Sequence, residues 1–554
     1  MTILQAAKSV KIDIPTLCYH PDLKVKGNCR VCVVEVDRCS NLQTACSTMV
    51  KEGMNVETHN KRVREARRTI VELILANHDE TCTTCHSNGN CELQDLTESL
   101  NIKDNRYENV LEREEIMAGN PSILRDMSKC IKCGRCVQAC NDVQKVGALY
   151  NIGRSTDMRM APAYDYDLTQ VKCTFCGQCI IVCPVGAIYE KDDVVDVLNA
   201  IEDPNKHVIA QIAPSIRVTV GEMFGMAAGT SVTNKLPAVL RQIGFDCVFD
   251  TNFAADLTIM EEGTEFLHRL QNGGVLPMLT SCSPGWVNYI EQFYPELLDH
   301  LSTCKSPQQM FGAIAKTYYA KKINRKPEDI VVVSFMPCTA KKTEAKREEM
   351  YRDGVADVDY ALTARELGKM IKMQGYDLNN IEEEPFDDPF GITTGAGLIF
   401  GASGGVMEAA LRTVYEVVTG QELENINLTA VRGLTGVKEA TIKVGDLDVK
   451  VAVTNSLKNA KLILEKIKNK EADYHFIEIM CCPGGCIGGG GQPKPTTNDI
   501  RLQRIKGIYS GDEKMPLRKS HENPAVKKLY EEFLGEPNSH KAHELLHTHY
   551  FNRK

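Results

Sequence analysis

The chain has 554 residues, 43% of them hydrophobic, and a formal net charge of −8 with a pI near 6.0. This length predicts roughly three to five domains, and the acidic balance argues against nucleic acid as a partner. The 23 cysteines are grouped in CxxC spacings, which favours metal binding in a reducing compartment over a disulfide scaffold. No apolar signal region and no spanning segment of roughly 18 apolar residues is evident, so we expect a cytoplasmic protein without a membrane span.

The first cysteine group follows a predicted helix at TILQAA and has the spacing C-x10-C-x2-C-x13-C. Four thiolates with one tight pair and two longer arms suit a 2Fe-2S cluster on a β-grasp-like ferredoxin domain, expected over residues 1–60. Structural zinc is the alternative, although zinc sites usually pair two CxxC knuckles. Cys39 lies between the ligands and is expected to be a spare. The candidate ligands are Cys18, Cys29, Cys32 and Cys46.

A mixed histidine and cysteine group follows an amphipathic helix predicted from about residue 62 to 76. That helix also accounts for the Arg67-Arg68 pair, which only superficially resembles a twin-arginine signal. The spacing H-x3-C-x2-C-x5-C provides three thiolates and one imidazole for a 4Fe-4S cluster, in a small domain expected over residues 61–100. His86 is the weaker histidine candidate. The expected ligands are His78, Cys82, Cys85 and Cys91.

An internal repeat predicts two further 4Fe-4S clusters. The runs CIKCGRCVQAC (130–140) and CTFCGQCIIVC (173–183) share the spacing C-x2-C-x2-C-x3-C. This is the signature of bacterial two-cluster ferredoxins, in which the fourth cysteine of each run binds the other cluster. We expect such a domain over residues 120–195. One ligand set is Cys130, Cys133, Cys136 and Cys183, and the other is Cys173, Cys176, Cys179 and Cys140.

From about residue 205 to 515 apolar strands alternate with amphipathic helices, which predicts an α/β domain. Three loops begin where such strands end: TSCSPGW (280–286), MPCTAKKTE (336–344) and EIMCCPGGCIGGGGQP (478–493). Loops after strand C-termini are where this architecture places its chemistry. Cysteines from three distant strand ends, with glycines that permit close backbone approach, predict a buried metal cluster. Residues 516–554 are expected to form a charged, helical C-terminal tail.

Taken together, the three loops resemble the signature segments of the iron-iron (FeFe) hydrogenases, and the resemblance extends over nearly the whole chain. It implies an anaerobic oxidoreductase that interconverts protons, electrons and H2 at an H-cluster. In this family the H-cluster is a 4Fe-4S cubane joined through one cysteine sulfur to a two-iron unit, which carries CO, cyanide and an azadithiolate and is supplied by maturation proteins. The histidine-containing group likewise resembles a cluster of these hydrogenases and of respiratory complex I. The family's first domain usually begins with a β-hairpin, so we expect this sequence to be truncated or its start to be assigned late.

The resemblance assigns roles to residues of the second half. Cys338, Cys482 and Cys486 match the family's cubane ligands, with Cys486 on the shared sulfur. Lys341 matches a residue whose ammonium can bond an anionic cyanide in a dry cavity. A fitted pocket must hold the two-iron unit, and the matching positions are Ala213, Pro214, Ser215, Pro307, Gln308, Met336, Phe400 and Met480. Outside the matched loops, the apolar members of this set would more often be ordinary core packing.

A proton path is also implied. Cys282 lies where the family places the thiol that hands protons to the bridging amine. Glu262, Glu265, Arg269 and Ser302 lie at the relay positions. The first three are spaced by three and four residues, so one helix face can carry them inward. Without the neighbouring motifs, EEGTEFLHR would be interpreted as a solvated charged face.

One position departs from the family pattern. The family usually has TSCCP, whose second cysteine is the fourth cubane ligand, and Ser283 stands there in this chain. Either the serine oxygen binds iron, or Cys282 turns in and leaves the proton path. Serine is a harder ligand than thiolate and is expected to change the cluster potential. Because the other relay residues are kept, we favour Ser283 as the ligand. This loop is similar to that of the NAD(P)-linked multisubunit members.

Two motifs are set aside. HELLH (543–547) fits the HExxH zinc-protease pattern but has no evident third ligand. GAGLIFG (395–401) nearly spells a dinucleotide fingerprint, but Phe400 replaces the third glycine and no Rossmann unit is present. We therefore expect NAD(P)H to be oxidised by a flavin-containing partner subunit, with a small 2Fe-2S subunit and ferredoxin as further partners.

Other functions remain open. A stand-alone, ferredoxin-dependent hydrogenase would have the same motifs. An electron-wiring subunit of a complex-I-like NADH dehydrogenase would share the first half of the chain but not the three loops. An iron–sulfur assembly or H2-sensing protein on the same fold would be expected to lose pocket residues, which this chain keeps.

Overall fold

The computed structural model describes residues 1–109, 111, 115–445 and 447–553. The chain divides into two compact units. The first comprises residues 1–142, 147–171 and 178–189, and the second comprises residues 143–146, 172–177 and 190–554. Among the described residues, no helix is both long and apolar enough to cross a bilayer.

The first unit consists of short helices and three small sheets. Its helices are α1 (Ile3–Ser9), α2 (Lys61–Leu75), α3 (Glu92–Ser99), α4 (Arg135–Gln138) and α5 (Gln178–Ile181). Its strands are β1 (Val33–Val36), β2 (Gln43–Thr44), β3 (Val56–Glu57), β4 (Ile123–Arg125), β5 (Tyr150–Ile152), β6 (Arg159–Ala161) and β7 (Ile188–Glu190). The sheet orders are β2-β1-β3, β4-β7 and β5-β6. The helices predicted at TILQAA and before the mixed group are confirmed as α1 and α2.

The second unit contains the remaining elements. Its helices are α6 (Val194–Glu202), α7 (Lys235–Ile243), α8 (Thr251–Gln271), α9 (Pro284–Phe293), α10 (Pro307–Ile314), α11 (Ala320–Lys322), α12 (Ala340–Glu344), α13 (Ala364–Met373), α14 (Gly395–Ile399), α15 (Gly405–Thr419), α16 (Leu457–Lys468), α17 (Asn498–Lys514), α18 (Pro524–Leu529) and α19 (His540–Leu546). Its strands are β8 (His207–Ile212), β9 (Cys247–Asp250), β10 (Met278–Leu279), β11 (Ile330–Met336), β12 (Tyr351–Arg352), β13 (Val355–Ala356), β14 (Tyr360–Thr363), β15 (Val437–Val444), β16 (Leu447–Asn455) and β17 (Phe476–Met480).

Two four-stranded sheets organise the second unit. One has the order β14-β11-β8-β9 and is parallel throughout. The other has the order β10-β17-β16-β15, in which only the edge strand β15 runs antiparallel. Strands β8, β11 and β17 are apolar and almost fully buried, as expected for parallel strands covered on both faces. The three strands predicted to precede the signature loops are therefore β10, β11 and β17.

Helix α8 joins two parts of the hydrophobic core. Its side chains Ala255, Ile259 and Phe266 pack in the core cluster beside β17, whereas Phe253 and Leu257 pack in a second cluster with the C-terminal helices. Asp250 caps the helix by accepting from the backbone N–H of Asn252. Because α8 is surrounded by packed side chains, polar groups on its inner turns are removed from water.

Candidate active site

Five strands of the second unit end at the same cavity, which has a volume of about 730 Å³. The lining residues that follow β8, β9, β10, β11 and β17 are 213–215, 251, 282–284, 337–338 and, after β17, 481, 482, 485 and 486. Parallel strands deliver their carboxyl ends to one edge of a sheet, so residues far apart in sequence converge there. The convergence of the three signature loops was a prediction from their positions after strands, and the fold brings them together.

The cavity lining contains every residue predicted for the pocket and for the cubane. The pocket residues in the lining are Ala213, Pro214, Ser215, Pro307, Gln308, Met336, Phe400 and Met480. The candidate ligands in the lining are Cys338, Cys482, Cys486 and Ser283, and Cys282 and Lys341 line the cavity with them. Burial raises the pKa of Cys338 well above its ordinary value, and the nearby thiols of Cys482 and Cys486 raise it further. Three thiols around one dry cavity form a donor set that suits an iron–sulfur cluster.

Glycines shape the third loop around these thiols. Gly485 has φ = +90°, and a Cβ there would lie 2.5 Å from the backbone nitrogen of Ser403. A Cβ on Gly489 would lie 2.2 Å from the carbonyl oxygen of Pro337. A side chain at residue 489 would separate the third loop from the second, and one at residue 485 would separate it from the backbone at Ser403.

Lys341 is held at the cavity wall by three acceptors. Its Nζ donates to Ser306 Oγ at 2.7 Å, to Glu344 Oε2 at 2.8 Å and to the Cys282 carbonyl at 3.3 Å. Gln308 donates to the same carboxylate oxygen of Glu344 at 3.1 Å. The ammonium is therefore fixed before any ligand is bound, and its charge faces a mainly apolar cavity.

The first loop presents a thiol and a hydroxyl in adjacent positions. Ser283 Oγ accepts from the backbone N–H of Cys481 at 3.3 Å, so the hydroxyl is held against the third loop. Cys282 is partly accessible, and its side chain lines the cavity. Burial raises the pKa of Cys282 well above that of an ordinary thiol, and the neighbouring Glu262 carboxylate raises it further. Cys282 thus faces both the cavity and Glu262.

The five residues predicted for the relay lie together on α8 and beside it. Arg269 donates to Glu265 Oε1 at 2.6 and 3.1 Å, and both side chains are 12% exposed. Ser302 Oγ donates to Glu265 Oε2 at 3.1 Å. From Arg269, the series continues through Glu265 and Ser302 to the neighbouring Glu262 and then to Cys282 at the cavity.

Glu262 is the most unusual group in this series. It is 2% exposed, and neither carboxylate oxygen has a hydrogen-bond partner in the described part of the chain. Burial raises the pKa of Glu262 to about 8, and the smaller opposing effect comes from the nearby Ser302 hydroxyl. A carboxyl group that exchanges its proton near neutral pH, without a fixed partner, is suited to proton transfer.

Sequence reasoning missed Cys481. It lines the cavity beside Cys482, and its thiol lies within hydrogen-bonding reach of Cys482 and of Cys176. Gln144 fixes the backbone here by donating to the Cys481 carbonyl at 3.0 Å. A signal was available in the CC pair of the third loop, but spacing alone cannot tell which of two adjacent cysteines faces a ligand.

The first predicted cluster set is assembled in the first unit. The Cys18 and Cys29 thiols hydrogen-bond each other, which lowers the pKa of Cys18 and raises that of Cys29. The Cys32 and Cys46 thiols form a second such pair, with the pKa of Cys32 lowered and that of Cys46 raised. Two neighbouring thiol pairs provide the four sulfur donors that a 2Fe-2S cluster requires. Cys39 is exposed, in agreement with its expected role as a spare.

The second predicted ligand set contains a buried histidine whose ring nitrogen Nδ1 has no hydrogen-bond partner among the described residues. His78 is 6% exposed, and its Nδ1 has no hydrogen bond within the described residues. Burial lowers the pKa of His78 to about 4, which leaves the neutral imidazole that a metal requires. His86 instead stacks on Tyr189 with ring centroids 3.9 Å apart. A buried, neutral imidazole with one nitrogen free of partners in the part of the chain that the structure describes is suited to bind a metal ion.

The two cysteine ligand sets of the ferredoxin-like repeat differ in whether the structure brings their four thiols together. Four thiols line a second cavity of about 330 Å³, and these are Cys130, Cys133, Cys136 and Cys183. The other set is divided between the units, with Cys140 and Cys179 in the first and Cys173 and Cys176 in the second. The second ligand set therefore stays a prediction from the sequence repeat.

Comparisons with known proteins identify the family and its domains. Residues 206–490 match the family of the iron only hydrogenase large subunit, C-terminal domain, and residues 498–553 match the iron hydrogenase small subunit. The NADP-reducing hydrogenase subunit HndD of Solidesulfovibrio fructosivorans is 50% identical over 100% of this chain and 96% of its own length. The chain belongs to the iron hydrogenase family. Iron hydrogenase 1 of Clostridium pasteurianum, 41% identical over 99% of this chain and 97% of its own length, is similar over the same extent.

A solved [FeFe]-hydrogenase structure, a variant of HydA1 from Chlamydomonas reinhardtii, has a TM-score of 0.60 at 43% identity. It covers 65% of this chain and 99% of that chain. The first half matches the 2Fe-2S iron-sulfur cluster binding domain (1–61), the NADH-ubiquinone oxidoreductase-G iron-sulfur binding region (67–106) and the NADH-quinone oxidoreductase subunit 3, ferredoxin-like domain (120–189). These matches confirm the predicted fold class, and the chain is a hydrogenase with 2Fe-2S and 4Fe-4S domains.

Proposed function

We propose that this hydrogenase interconverts protons, electrons and H2 at the cavity of the second unit, as the catalytic subunit of an NAD(P)-linked complex. One observation carries the site: the candidate ligands, the pocket residues, Lys341 and the end of the relay line a single cavity. The domain limits predicted from the sequence, 1–60, 61–100, 120–195, 205–515 and 516–554, are part of this proposal.

Cys338, Cys482 and Cys486 would hold the cubane of the H-cluster, with Ser283 as the fourth ligand and Cys486 as the shared sulfur. When bound, the H-cluster supplies the redox chemistry that joins protons and electrons. The ammonium of Lys341, fixed by Ser306 and Glu344, would hold an anionic cyanide through a charge-assisted hydrogen bond. The apolar wall excludes water and strengthens this contact, because the local dielectric constant is low.

Protons would pass along Arg269, Glu265, Ser302, Glu262 and Cys282. Ser302 already donates to Glu265, and the unpaired carboxyl of Glu262 can accept a proton from the Ser302 side and release it toward Cys282. The raised pKa of Glu262 keeps the carboxyl group protonated in a large fraction of molecules at neutral pH, which suits a relay member. Cys282 would be the last donor before the cluster.

Electrons would enter through the first half of the chain, by one 2Fe-2S cluster and three accessory 4Fe-4S clusters bound by the cysteine and histidine sets described above. A relative named as an NADP-reducing hydrogenase subunit supports a multisubunit assembly. The partners would be a flavin-containing NAD(P)H-oxidising subunit and a small 2Fe-2S subunit, with ferredoxin as a further electron carrier. Maturation proteins would supply the two-iron unit, and the enzyme would work in an anaerobic cytoplasm.

Affinity purification of the tagged chain from its native cells tests the assembly. We expect a flavin-containing subunit to co-purify, H2-dependent reduction of NAD(P)+ by the complex, and infrared bands of CO and cyanide. A lone chain that carries these infrared bands and works only with ferredoxin would support the stand-alone alternative. A chain without the bands after expression with maturation proteins would contradict the proposed active site.

A further inference from the structure

The HELLH segment, which fits a zinc-protease pattern in sequence, packs against the proton relay. Helix α19 carries His543 and ends just before His547, and the two rings stack with centroids 4.0 Å apart. His543 is exposed, whereas His547 is 7% exposed. Because Ala542, Leu545 and Leu546 are buried in the core beside α8, the predicted charged tail is an integral part of the second unit.

Both nitrogens of His547 have partners in the core. Nδ1 lies 2.7 Å from Thr303 Oγ1, and Nε2 lies 3.1 Å from Glu261 Oε2. Glu261 is fully buried and also accepts from the Tyr530 hydroxyl and from the backbone N–H of Asn538 at 2.8 Å. The imidazole of His547 therefore lies between the hydroxyl of Thr303 and the carboxylate of Glu261.

Thr303 connects this histidine to the relay. Its backbone N–H donates to Glu265 Oε2 at 3.0 Å, and its hydroxyl lies 3.1 Å from the same oxygen. A hydroxyl has one proton to donate and lone pairs to accept. When His547 donates to Thr303 Oγ1, the hydroxyl proton is directed to Glu265, so the three side chains form one continuous hydrogen-bonded chain.

We propose that His547, with Glu261 as its counter-charge, is a second proton donor to the relay and delivers through Thr303 to Glu265. This inference rests on the proposed relay from Glu265 to Cys282. The reaction consumes two protons for each H2, and the imidazole of His547 lies two hydrogen bonds from Glu265 inside the protein.

The transfer is balanced and needs no other reactant. The Nδ1–H bond of the imidazolium breaks as an O–H bond forms on Thr303, and the original Thr303 O–H bond breaks as an O–H bond forms on Glu265 Oε2. His547 is left neutral, with Nε2–H donating to Glu261, and Glu265 is left protonated. No electron moves in this step.

The surroundings favour a proton over a metal ion. Glu265, Cys304 and His547 could together reach a cation, since their ligand atoms lie within 4.8 Å of one another. However, the guanidinium of Arg269 already bonds Glu265 at 2.6 Å. The titratable groups that face His547 and this carboxylate are Glu261 and Arg269 from α8, Cys304 from the segment between α9 and α10, Tyr530 and Tyr550 from the C-terminal segment, and His543 on α19. Metal binding by this group would therefore compete with the Arg269 ion pair for the carboxylate of Glu265.

Thr303→Val tests the connection, because valine keeps the shape of threonine and removes the hydroxyl. We expect H2 production from an artificial reductant to fall about tenfold at high pH and less at low pH, where solvent protons are abundant at the other entrance. Thr303→Ser is expected to recover most of this loss. Thr317→Val is the matched control, since the Thr317 hydroxyl donates only to the backbone carbonyl of Ala313, at 2.6 Å.

Infrared spectroscopy supplies a readout that does not depend on turnover. In protein prepared without the two-iron unit, the carboxyl band that disappears in Glu265→Gln should shift in Thr303→Val and in His547→Gln. The double variant should show no further shift, because both changes break the same chain. Independent shifts, or unchanged bands together with an unchanged pH profile in Thr303→Val, would overturn the proposal.

Glu262→Gln separates this inference from the proposed function. If Glu262→Gln is inactive while Thr303→Val keeps the full rate at every pH, the relay stands and the His547 branch is wrong. If Glu262→Gln is as active as the unaltered enzyme, the relay itself is wrong and the branch falls with it. Thermal unfolding of each variant identifies losses that come from misfolding alone.

Discussion

Two thiol-lined cavities of this hydrogenase differ in the groups that accompany the thiols. In the first unit, the cavity around Cys130 and Cys183 is lined by cysteines and otherwise by apolar or small residues such as Met127 and Ile188. In the second unit, the cavity around Cys338 is also lined by Lys341, Gln308 and serine hydroxyls, and a series of carboxyl groups leads to it. Both cavities are mainly apolar, so an apolar lining alone does not distinguish them.

The difference between the two cavities reflects which particles each site must exchange, electrons alone or electrons together with protons. An electron can enter or leave a thiolate-bound cluster within an apolar wall, where the surroundings only tune its potential. A reaction that consumes protons also needs groups that hold charge and exchange protons, and these groups must be fixed in place. Variants that remove one charged or protonatable group should therefore act on the second cavity in distinct ways, and variants of accessory ligands should act on electron supply alone.

Lys341→Asn is expected to have the largest effect. The anionic ligand of the two-iron unit would lose its cationic partner in a dry cavity, at a cost of about 3 kcal/mol or more, which lowers retention more than a hundredfold. Infrared bands of CO and cyanide, compared with iron content, measure retention. The expected spectrum lacks these bands while the accessory clusters remain.

The neighbouring Lys342 provides the control. Its Nζ bonds Asp193 at 2.6 Å and Glu366 at 2.8 Å, away from the cavity lining. Lys342→Asn should lower the melting temperature, because two buried carboxylates lose their counter-charge, but should leave the infrared bands of folded protein in place. Normal bands in Lys341→Asn would remove Lys341 from the site.

Variants of the first loop are expected to separate proton transfer from cluster binding. If Cys282 is the final proton donor, Cys282→Ala should keep the cubane and lower turnover by about 10²–10⁴, since a methyl group cannot donate a proton. Ser283→Cys should keep the cubane and shift its potential, because a thiolate replaces an oxygen ligand. Iron analysis and electron paramagnetic resonance, measured beside H2 evolution, distinguish these outcomes.

Cys481 adds a third arm to this test. Its thiol lies within reach of Cys482 and its backbone N–H bonds Ser283. If Ser283 is the fourth ligand, Cys481→Ala should retain the cubane and Ser283→Ala should weaken it. Loss of the cubane in Cys481→Ala alone would make Cys481 the fourth ligand, and loss in Cys282→Ala alone would contradict Cys282 as the proton donor.

Much of the site could be predicted from the sequence because strand ends and loop motifs are local features. Apolar runs predicted β11 and β17, and the loops after them reached the cavity as expected. The spacing of Glu262, Glu265 and Arg269 predicted their shared helix, and α8 carries all three.

Other parts depended on tertiary packing that no local pattern specifies. The anchoring of Lys341 by Ser306 joins two distant loops, and the burial of His547 depends on α19 docking against the core beside α8. The apolar residues Ala542, Leu545 and Leu546, spaced by three and one along α19, were the available signal for that docking. The prediction of a charged tail did not use this apolar spacing, so it did not include the docking of α19.

Glu262→Gln is expected to have a smaller effect on the cluster than the loop variants, but a characteristic pH dependence. Its loss of turnover should be about 10²-fold, because glutamine fills the same space without exchanging a proton. Burial raises the pKa of Glu262 to about 8, above the ordinary value of 4.5. The stability contributed by the neutral carboxyl is therefore complete below about pH 4.5 and is lost as the pH rises toward 8, where the buried group must ionise.

Glutamine does not ionise, so the free energy of unfolding of Glu262→Gln should rise relative to the unaltered enzyme between pH 5 and 8, by about 2–4 kcal/mol. Denaturant unfolding at several pH values measures this difference. Glu265→Gln is a useful comparison because Glu265 is partnered by Arg269 and Ser302. A pH-independent difference for Glu262→Gln would show that the carboxyl of Glu262 is not held neutral by burial.

Substitutions of the accessory-cluster ligands are expected to have the smallest effect on the rate of H2 production itself. His78→Ala removes the orphaned imidazole nitrogen from the second cluster set, while the cavity of the second unit keeps all of its lining residues. H2 production from a small artificial reductant is expected to stay within about twofold, because such a donor can reach other clusters. The rate with the natural electron partner should fall about tenfold or more.

His78→Cys is the matched variant, since a fourth thiolate can complete the cluster at a changed potential. Partial recovery with the natural partner in His78→Cys would assign the loss to electron delivery. Equal losses with both donors would contradict a division of labour between the two thiol-lined cavities.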